Sequence, residues 1–357
     1  MFDFINDWYR RYFTHPQAAV LVILLAAAFV VFYFMGGMLT PLLAAVVIAY
    51  MLEGPIVKLT ARQVPRLTAV SLVFLLFILV MGFIVIGLLP ILSGQASQFV
   101  QEFPGMLSRG QELLLHLPEQ YPDIISAELV NEIGLALRRG ASDFGQGVVS
   151  VSVASIPAII TVLIYLILVP LMIFFLLKDK DLVLGWLSRF LPSDRTLVGH
   201  LWLEMDAQFG NYIRGKVYEI AIVGVTSYIV FSLFGLNYAS LLSITVGLSV
   251  LIPYIGAAVV TLPVALVAYF QWGFDPVFIW LVVAYFILQF LDGNVLVPIL
   301  FSDVVNLHPV AIIVAILVFG GLWGFWGVFF AIPLATLVKA LINVWPTSEE
   351  QLPEAGA

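Results

Sequence analysis

Long apolar runs separated by short polar stretches set the hydrophobic pattern of this chain. A helix that crosses the hydrocarbon core of a bilayer needs roughly 20 consecutive, mostly apolar residues. The runs that reach or approach this length are 18–35, 41–52, 67–89, 148–177, 218–234, 238–270, 276–296 and 309–342. The pattern predicts an all-α polytopic membrane protein with about eight transmembrane segments.

The first apolar stretch contains helix-breaking residues near its centre. Gly36 and Gly37 interrupt it, and Thr40 followed by Pro41 has the composition of a helix N-cap and a first-turn proline. We therefore expect the first helix to end at the glycines. The run that follows Pro41 is short for a span, so we expect it to be tilted, extended toward later residues, or paired with the first run as a hairpin.

The C-terminal half of the chain is depleted of charge. No lysine or arginine occurs between Val217 and Val338, and the acidic residues in that segment are Glu219, Asp275, Asp292 and Asp303. A typical soluble domain carries about 25% charged residues. Lipid must therefore be the solvent for this segment, which we expect to contain broken or re-entrant helices because glycine and proline recur in it.

A weak internal repeat occupies the same half. Pro253–Val267 resembles Gly324–Val338, and Gly256 matches Gly327. The apolar segment around each copy is about 33 residues long, or roughly 50 Å as a straight helix, whereas the hydrocarbon core is roughly 30 Å thick. Either both segments are kinked helices that cross once, which makes the repeats parallel, or both are re-entrant hairpins, which leaves the repeats oppositely oriented.

Glycine and proline mark where these helices are expected to break, because glycine frees φ and proline removes a backbone donor. At membrane depth the freed backbone groups need partners, which a polar substrate or bound water can supply. Close helix packing is the alternative interpretation. Trp323 and Trp326, in the second break, either line a path or anchor the interface. The candidate break and pathway residues are Pro253, Tyr254, Gly256, Pro298, His308, Gly320, Gly321, Gly324, Gly327 and Pro333.

Composition supports the membrane assignment and argues against several classes of site. Hydrophobic residues make up 62% of the chain and charged residues 10%. The net charge of −7 gives no nucleic-acid signature. The chain has no cysteine, and its four histidines form no ligand-spaced pair, so no metal or other cofactor is predicted. Nucleotide-binding and intramembrane-protease motifs are absent, so we do not expect an enzyme.

The distribution of basic residues indicates the orientation of the chain. Most of them lie before the first span, between the second and third, and between the fourth and fifth, whereas the connection 93–147 holds only Arg109, Arg138 and Arg139. By the positive-inside rule both termini face the cytoplasm and that connection faces outward. The predicted organisation is N-terminal transmembrane segments 1–92, a small helical extracytoplasmic insertion 93–147, a transmembrane segment 148–177, cytoplasmic amphipathic helices 178–216, a C-terminal transmembrane repeat region 217–345 and a disordered cytoplasmic tail 346–357.

The segment 178–216 carries an apolar stripe at helical spacing. Such a stripe can bind a neighbouring subunit, the membrane surface or the protein's own bundle, and packing on its own bundle is the simplest interpretation. The stripe consists of Val198, Trp202, Met205, Phe209 and Tyr212, and the polar positions of a cytoplasmic motif around its end are Asn211, Arg214 and Lys216.

Asp292 is the strongest candidate for a functional role. An ionised carboxylate late in an apolar span has to be buried, paired or on a polar path. Tyr285, Gln289 and Asp292 share one helix face, and Asn294 follows closely. The alternative is that Asp292 caps a helix that breaks at Gly293 or lies at the outer interface.

Glu219 is the second candidate. It lies one turn inside the fifth span, after Arg214 and Lys216. A coupling carboxylate and an interfacial carboxylate paired with those cations are equally compatible with this position.

Six sequence motifs are long and specific: Leu168–Lys180, Asn211–Lys216, Ile252–Ala257, Leu291–Ser302, Val305–Pro309 and Phe319–Ala340. Together they resemble the signature of the autoinducer-2 exporter family, and within it the PerM-type permeases. The resemblance implies a bacterial inner-membrane permease of about eight helices that exports a small signalling molecule. It also implies a homo-oligomer, with a pentamer suggested, and relatives similar to cation/proton antiporters.

Two classes of function remain open on these observations. The first is a secondary transporter that exports a small solute and is coupled to a proton or sodium gradient, with a sodium/proton antiporter or a passive channel as variants. Its partners are the lipid bilayer and a small-molecule or ion substrate. The second class is a non-transporting membrane scaffold. Dependence of flux on a carboxylate separates them, because a scaffold needs no intramembrane charge.

Overall fold

The computed structural model of the protein describes residues 16–120, 155–190, 196–301 and 307–344, with single positions between 128 and 139. The helices in these ranges are α1 (Pro16–Thr60), α2 (Arg66–Phe83), α3 (Leu89–Gln120), α4 (Ser155–Lys178), α5 (Lys180–Leu187), α6 (Thr196–Phe234), α7 (Ala239–Ser249), α8 (Ile255–Trp272), α9 (Pro276–Leu291), α10 (Val297–Phe301), α11 (Pro309–Phe329) and α12 (Ala331–Val344). The π-helical turns Ile84–Leu88 and Asp292–Leu296 join α2 to α3 and α9 to α10, and a short 3₁₀ turn, Ser188–Phe190, follows α5.

Within the described residues, seven helical stretches are long and apolar enough to cross a membrane, and no strand occurs. The predicted all-α polytopic membrane fold is therefore confirmed. Two further apolar helices, α7 and α12, are shorter than a full span. They belong to the two segments for which the sequence predicts a break.

α1 is a single helix of 45 residues that passes through both glycines and through Pro41. The prediction that a helix ends at Gly36 is wrong, and so is the hairpin alternative for the run after it. Hydrocarbon offers no water to bond a freed backbone group, so a continuous helix is preferred over a break. Thr40 contributes locally, since its Oγ1 donates to the Gly36 carbonyl at 3.4 Å. At about 1.5 Å per residue α1 is about 67 Å long, so it extends beyond the bilayer.

α1, α2 and α4 pack into an N-terminal bundle. Its buried side chains include Ile56 of α1, Val70 of α2 and Ile173 of α4. At one end of the bundle, Glu53 Oε1 lies 3.2 Å from the guanidinium of Arg66 and 3.2 Å from the ammonium of Lys180. Apolar packing thus holds the middle of the bundle, and ion pairs hold its polar end.

The third apolar run continues as a helix far beyond its predicted end, because α2, the π-helical turn and α3 are contiguous as far as Gln120. α3 packs on the C-terminal half of the chain: Gln95 accepts a hydrogen bond from the Leu241 amide at 2.9 Å, and Phe99 contacts the Tyr238 ring. Most of the predicted insertion beyond Gln120 lies outside the described residues, so its boundaries stay a prediction.

α6 joins the predicted amphipathic helix and the fifth span into one helix of 39 residues. Met205 packs against Ala340, with Phe209 beside it, and the Tyr212 hydroxyl donates to the Phe329 carbonyl at 2.9 Å. Packing on the protein's own bundle is therefore confirmed for these three stripe residues. Trp202 is 53% exposed, and the side chain of Val198 lies outside the described residues.

α7 and α8 form a re-entrant hairpin, called here the first hairpin. Gln271, at the end of α8, donates to the Gly235 carbonyl and accepts from the Asn237 amide, both at 2.8 Å. The segment therefore returns to the side on which it entered. At its turn, a Cβ on Gly256 would lie 1.7 Å from the Ser249 carbonyl oxygen, although residues seven apart in a straight helix are separated by about 10 Å.

α11 and α12 form the second hairpin. α11 loses helical geometry at Gly324, where φ is 57° and ψ is −132°. A Cβ on Gly327 would lie 1.8 Å from the Phe319 carbonyl oxygen, so the chain reverses tightly here as well. α12 then runs back along α6 toward its N-terminal part, where Ala340 packs with Met205.

The two hairpins are related as an inverted repeat. α6 and the α9–α10 segment run antiparallel, because Phe231 contacts Tyr285 near one end and Gly215 contacts Phe301 near the other. Each of these two segments leads directly into one hairpin, so the hairpins open to opposite sides. Of the two alternatives left open by the sequence, the structure has the re-entrant form with oppositely oriented repeats.

Gly256→Ala and Gly327→Ala each place a methyl group against a backbone oxygen that cannot rotate away. We expect either change to lower the thermal midpoint by at least about 2 °C, because overpacking costs about 1–3 kcal/mol or more. Gly321→Ala is the matched control, since an added Cβ there meets nothing within 4 Å. The measurement is thermal unfolding followed by fluorescence-detected size exclusion. Equal midpoints for the Gly327 and Gly321 variants would contradict the tight reversal.

Candidate functional site

Charged side chains meet where α6 passes the turn of the first hairpin. Lys216 and Glu219 are three residues apart on α6 and share a face. They are 3% and 2% exposed, and the Lys216 ammonium lies 2.7 Å from Glu219 Oε2. The same ammonium donates to the Val250 carbonyl at 2.7 Å. A buried ion pair therefore also binds the backbone of the hairpin.

The end of α7 explains why the ammonium lies at this position. The last carbonyls of a helix have no intrahelical donor, and the C-terminal end of the helix dipole favours a cation. Val250 is the C-cap residue of α7, so its carbonyl is one of these groups. The Lys216 ammonium also lies 5.3 Å from the centre of the Phe301 ring, within range of a cation–π interaction. One cation thus meets a carboxylate, a carbonyl and an aromatic face.

Asp292 lies at the start of the π-helical turn after α9. It is partly buried, and its Oδ1 is buried without a hydrogen-bond partner among the described residues. It interacts electrostatically with both Lys216 and Glu219. The helix does not break at Gly293, so capping of a broken helix is not the role of Asp292. The structure therefore brings Asp292 and Glu219, both predicted from sequence, into one site.

Tyr285 and Gln289 are brought together as their shared helix face predicts. The Gln289 amide donates to the Tyr285 hydroxyl, which also lies 3.3 Å from Thr261 Oγ1 on α8. Tyr285 is 2% exposed, so these bonds join α9 to the first hairpin inside the protein. Asn294 is exposed and donates to the Phe290 carbonyl at 2.9 Å. It does not join the charged cluster.

The remaining predicted residues have mainly local roles in the backbone. Tyr254 lies in the turn of the first hairpin with a φ of 63° and is 60% exposed. Pro298 is exposed in α10, and Pro333 is buried in α12. His308 is exposed and caps α11, since its Nδ1 accepts from the Val310 amide at 3.3 Å. These positions shape the hairpins and their entries.

Sequence reasoning gave Lys216 as part of a cytoplasmic motif and as one possible partner of Glu219, and the structure contains that pair. It missed the bond from Lys216 to the hairpin backbone. The signal for the pair was its spacing from Glu219, since a lysine and a glutamate three residues apart can pair on one helix face. The Val250 carbonyl had no such signal, because it lies 34 residues away and reaches Lys216 only through the hairpin. Arg214, of the same motif, bonds Asn211 instead.

A cavity of about 450 Å³ lies between α1, α6 and the second hairpin. Its walls include Phe32 and Gly36 of α1, Phe209 of α6, and Trp323 and Trp326 of α11. Both tryptophans therefore border this cavity. The charged cluster is on another part of α6 and does not line this cavity.

Comparison with known proteins decides the family. Residues 21–347 match the family described as AI-2E family transporter. This chain belongs to the AI-2E transporter family. It is 47% identical over 352 residues to the "Putative permease PerM" of Escherichia coli strain K12, covering 98% of this chain and 99% of that protein. It is 27% identical over 306 residues to the "Putative transport protein YrrI" of Bacillus subtilis strain 168, with 85% of each chain covered.

In this AI-2E family member, the motifs that carried the resemblance surround the two sites just described. Ile252–Ala257 forms the turn of the first hairpin, Leu291–Ser302 holds Asp292, and Phe319–Ala340 builds the second hairpin. Family membership and the seven apolar helices found among the described residues make the protein a multi-pass membrane protein of a transporter family. The motifs therefore mark the hairpins and the residues that hold them.

Lys216→Met leaves Glu219 charged and buried without its partner. We expect a marked fall in the thermal midpoint, because breaking a buried pair from one side costs about 3–5 kcal/mol. The double change Lys216→Met with Glu219→Leu should recover much of the loss, since the unpaired charge is gone. Thermal unfolding of the purified variants measures both effects.

Lys178→Met is the control for this comparison. Lys178 is 3.9 Å from Asp179 and its side chain is 41% exposed, so its loss should change the midpoint little. A double variant no more stable than Lys216→Met alone would show that the buried charge of Glu219 does not cause the loss.

Proposed function

We propose that this protein is a secondary transporter that exports a small solute, driven by a proton or sodium gradient. Asp292 and Glu219 are the coupling carboxylates, and Lys216 is their fixed counter-charge. The observation that carries the proposal is the buried Lys216–Glu219 pair, whose ammonium also binds the Val250 carbonyl at the hairpin turn. A change of charge at this site therefore acts on the turn of the first hairpin, through the contact between Lys216 and Val250.

The free-energy cost of burying these charged side chains supports a functional role. Ionised groups inside a membrane are expensive and are found on transport paths or proton relays. A hydrophobic replacement of a buried pair is often neutral or stabilising, so stability alone does not account for it. Asp292 Oδ1 is buried and has no hydrogen-bond partner among the described residues, so it is available to a proton or a cation.

The hairpins provide the element that the cluster can control. Neutralising Glu219 removes most of its attraction for the Lys216 ammonium, so the ammonium can change its position relative to the Val250 carbonyl. A bound ion that favours one position of the turn shifts the population toward that position. Inverted repeats with discontinuous helices are a common architecture of secondary transporters, with the binding sites near the midplane.

The remaining parts of the proposal rest on the family resemblance and on the distribution of basic residues. Export of a signalling-type solute, a homo-oligomeric and pentameric assembly, and a bacterial inner-membrane location come from the resemblance. The cytoplasmic position of both termini comes from the positive-inside rule. Relatives carry names of permeases and transport proteins, which agrees with a transport role.

Asp292→Asn removes the coupling charge while keeping the size of the side chain. In proteoliposomes with an imposed proton or sodium gradient and a pH-sensitive dye, we expect wild type to dissipate the gradient and Asp292→Asn to lose at least about 90% of that flux. Its thermal midpoint should stay close to wild type, because Oδ1 forms no hydrogen bond in the described structure.

Asp275→Asn is the matched control at the other end of α9. Asp275 is exposed and caps the helix by accepting from the Val277 amide at 2.9 Å, a role that asparagine also performs. It should transport like wild type. Equal flux through wild type and Asp292→Asn would overturn the coupling role and favour a passive channel, and absence of flux from every protein would favour the scaffold.

A further inference from the structure

One end of the cavity between α1, α6 and the second hairpin is closed by a polar contact. The lining on α1 ends at Tyr50, and the lining on α6 begins at Phe209. The Tyr50 hydroxyl donates to Oδ1 of Asp206, which lies one helical turn before Phe209 and does not line the cavity. The hydrogen bond therefore crosses from α1 to α6 where the cavity ends.

Arg214 lies in the same seam between α1 and α6. A Cβ on Gly210 of α6 would lie 3.1 Å from its guanidinium, and a Cβ on Gly54 of α1 would lie 3.5 Å from its Cδ. Tyr50 and Gly54 share one face of α1, since they are four residues apart. Asp206, Gly210 and Arg214 follow the same interval on α6. The two glycines thus make room for a charged side chain, which favours contact with water over an apolar seal.

The other seam at this end, between α6 and α12, is closed by apolar packing. Met205 packs against Ala340, with Phe209 beside them. Separating these side chains would return apolar surface to water, at a cost that grows with the area exposed. Asp206 is exposed, so it and Tyr50 can both bond water once they part, and the net cost of separating them is modest. The seam between α1 and α6 is therefore the one that opens more readily.

We propose that Tyr50 and Asp206 form a gate at this end of the cavity. While they are bonded the end is closed, and when they part α1 separates from α6 and water enters the cavity. α1 belongs to the N-terminal bundle, whereas α6 bonds the turns of both hairpins, so the gate lies between these two parts of the molecule. Such a gate controls access to the cavity whatever the solute and the coupling ion are.

Tyr50→Phe tests the gate, because it removes the hydroxyl and keeps the ring. The reporter is Val46→Cys, at a position that lines the cavity one helical turn from Tyr50, in a chain that otherwise has no cysteine. The probe is methanethiosulfonate ethyltrimethylammonium, a thiol reagent whose permanent charge keeps it out of hydrocarbon. The full-length protein is held in lipid nanodiscs, which expose both faces, and intact mass spectrometry follows the modification.

We expect Tyr50→Phe to raise the modification rate of the reporter at least about tenfold. A tenfold change in the open population corresponds to about 1.4 kcal/mol, which agrees with the net contribution of a hydrogen bond to a charged group. Asp206→Ala should raise the rate by a similar factor. The double variant should be no faster than either single variant, because both changes remove the same bond.

Tyr33→Phe and Glu204→Ala are the matched controls. Tyr33 also lines the cavity, but near the other end of the α1 lining. Glu204 is exposed on α6 and accepts a hydrogen bond from Gln208 of its own helix. Both changes should leave the rate at the wild-type value. A second reporter, Val70→Cys, is fully buried in the N-terminal bundle and should stay unreactive in Tyr50→Phe, because the gate opens without loosening the whole protein.

Equal reporter rates with and without Tyr50→Phe, additive effects of the two gate changes, equal acceleration by the controls, or a reactive Val70→Cys would each overturn the gate. Failure of the transport proposal is distinguishable, because accessibility is measured without a gradient and flux with one. A faster reporter in Tyr50→Phe, together with absent gradient-driven flux, would refute ion coupling and leave the gate standing. Asp292-dependent flux with equal reporter rates would do the reverse.

Discussion

One turn of α6 bonds the backbone of both hairpins, and the C-terminal half of the protein depends on these two bonds. The Tyr212 hydroxyl donates to the Phe329 carbonyl, and four residues later the Lys216 ammonium donates to the Val250 carbonyl. Both carbonyls lie at helix ends, where intrahelical donors run out. Val250 and Phe329 are buried, and buried carbonyls need donors, so the side chains of α6 stabilise both chain reversals.

This arrangement explains why the two tight reversals use glycine. When carbonyl groups at a turn are held by a neighbouring helix, the arms of the hairpin must come close enough for both to reach that helix. At Gly256 and Gly327 the approach leaves no room for a Cβ atom. The equivalence of these glycines in the sequence repeat therefore reflects a shared packing requirement, and the two reversals are one solution used twice.

The sequence predicted which two C-terminal segments are broken, but it did not predict the form of the helices on either side of each break. Charge depletion after Val217 and the repeat around Gly256 and Gly327 led to two broken segments, which the structure contains. Gly36 and Gly37 led to a break that does not exist. The difference is physical, because glycine loosens a helix only where something else can bond the freed backbone, and hydrocarbon offers no such partner.

In the candidate site, too, some contacts could be predicted from the sequence and others could not. Asp292 stood out because a carboxylate in an apolar run is unusual, and the bond between Gln289 and Tyr285 followed from helical spacing. The backbone partner of Lys216 could not be predicted, since the Val250 carbonyl reaches the site only after the chain has turned. A sequence pattern shows which side chains share a face, but not which distant backbone group they meet.

The antiparallel relation of the two hairpins has a mechanical consequence. The open ends of the two hairpins face opposite sides, and their turns are hydrogen-bonded to neighbouring side chains of α6. If that turn of α6 shifts along the membrane normal, it carries the turns of both hairpins in the same direction. The turn of one hairpin then moves toward the open end of that hairpin, while the turn of the other hairpin moves away from its open end. A single translation is thereby converted into two opposed changes of depth, one on each face of the membrane.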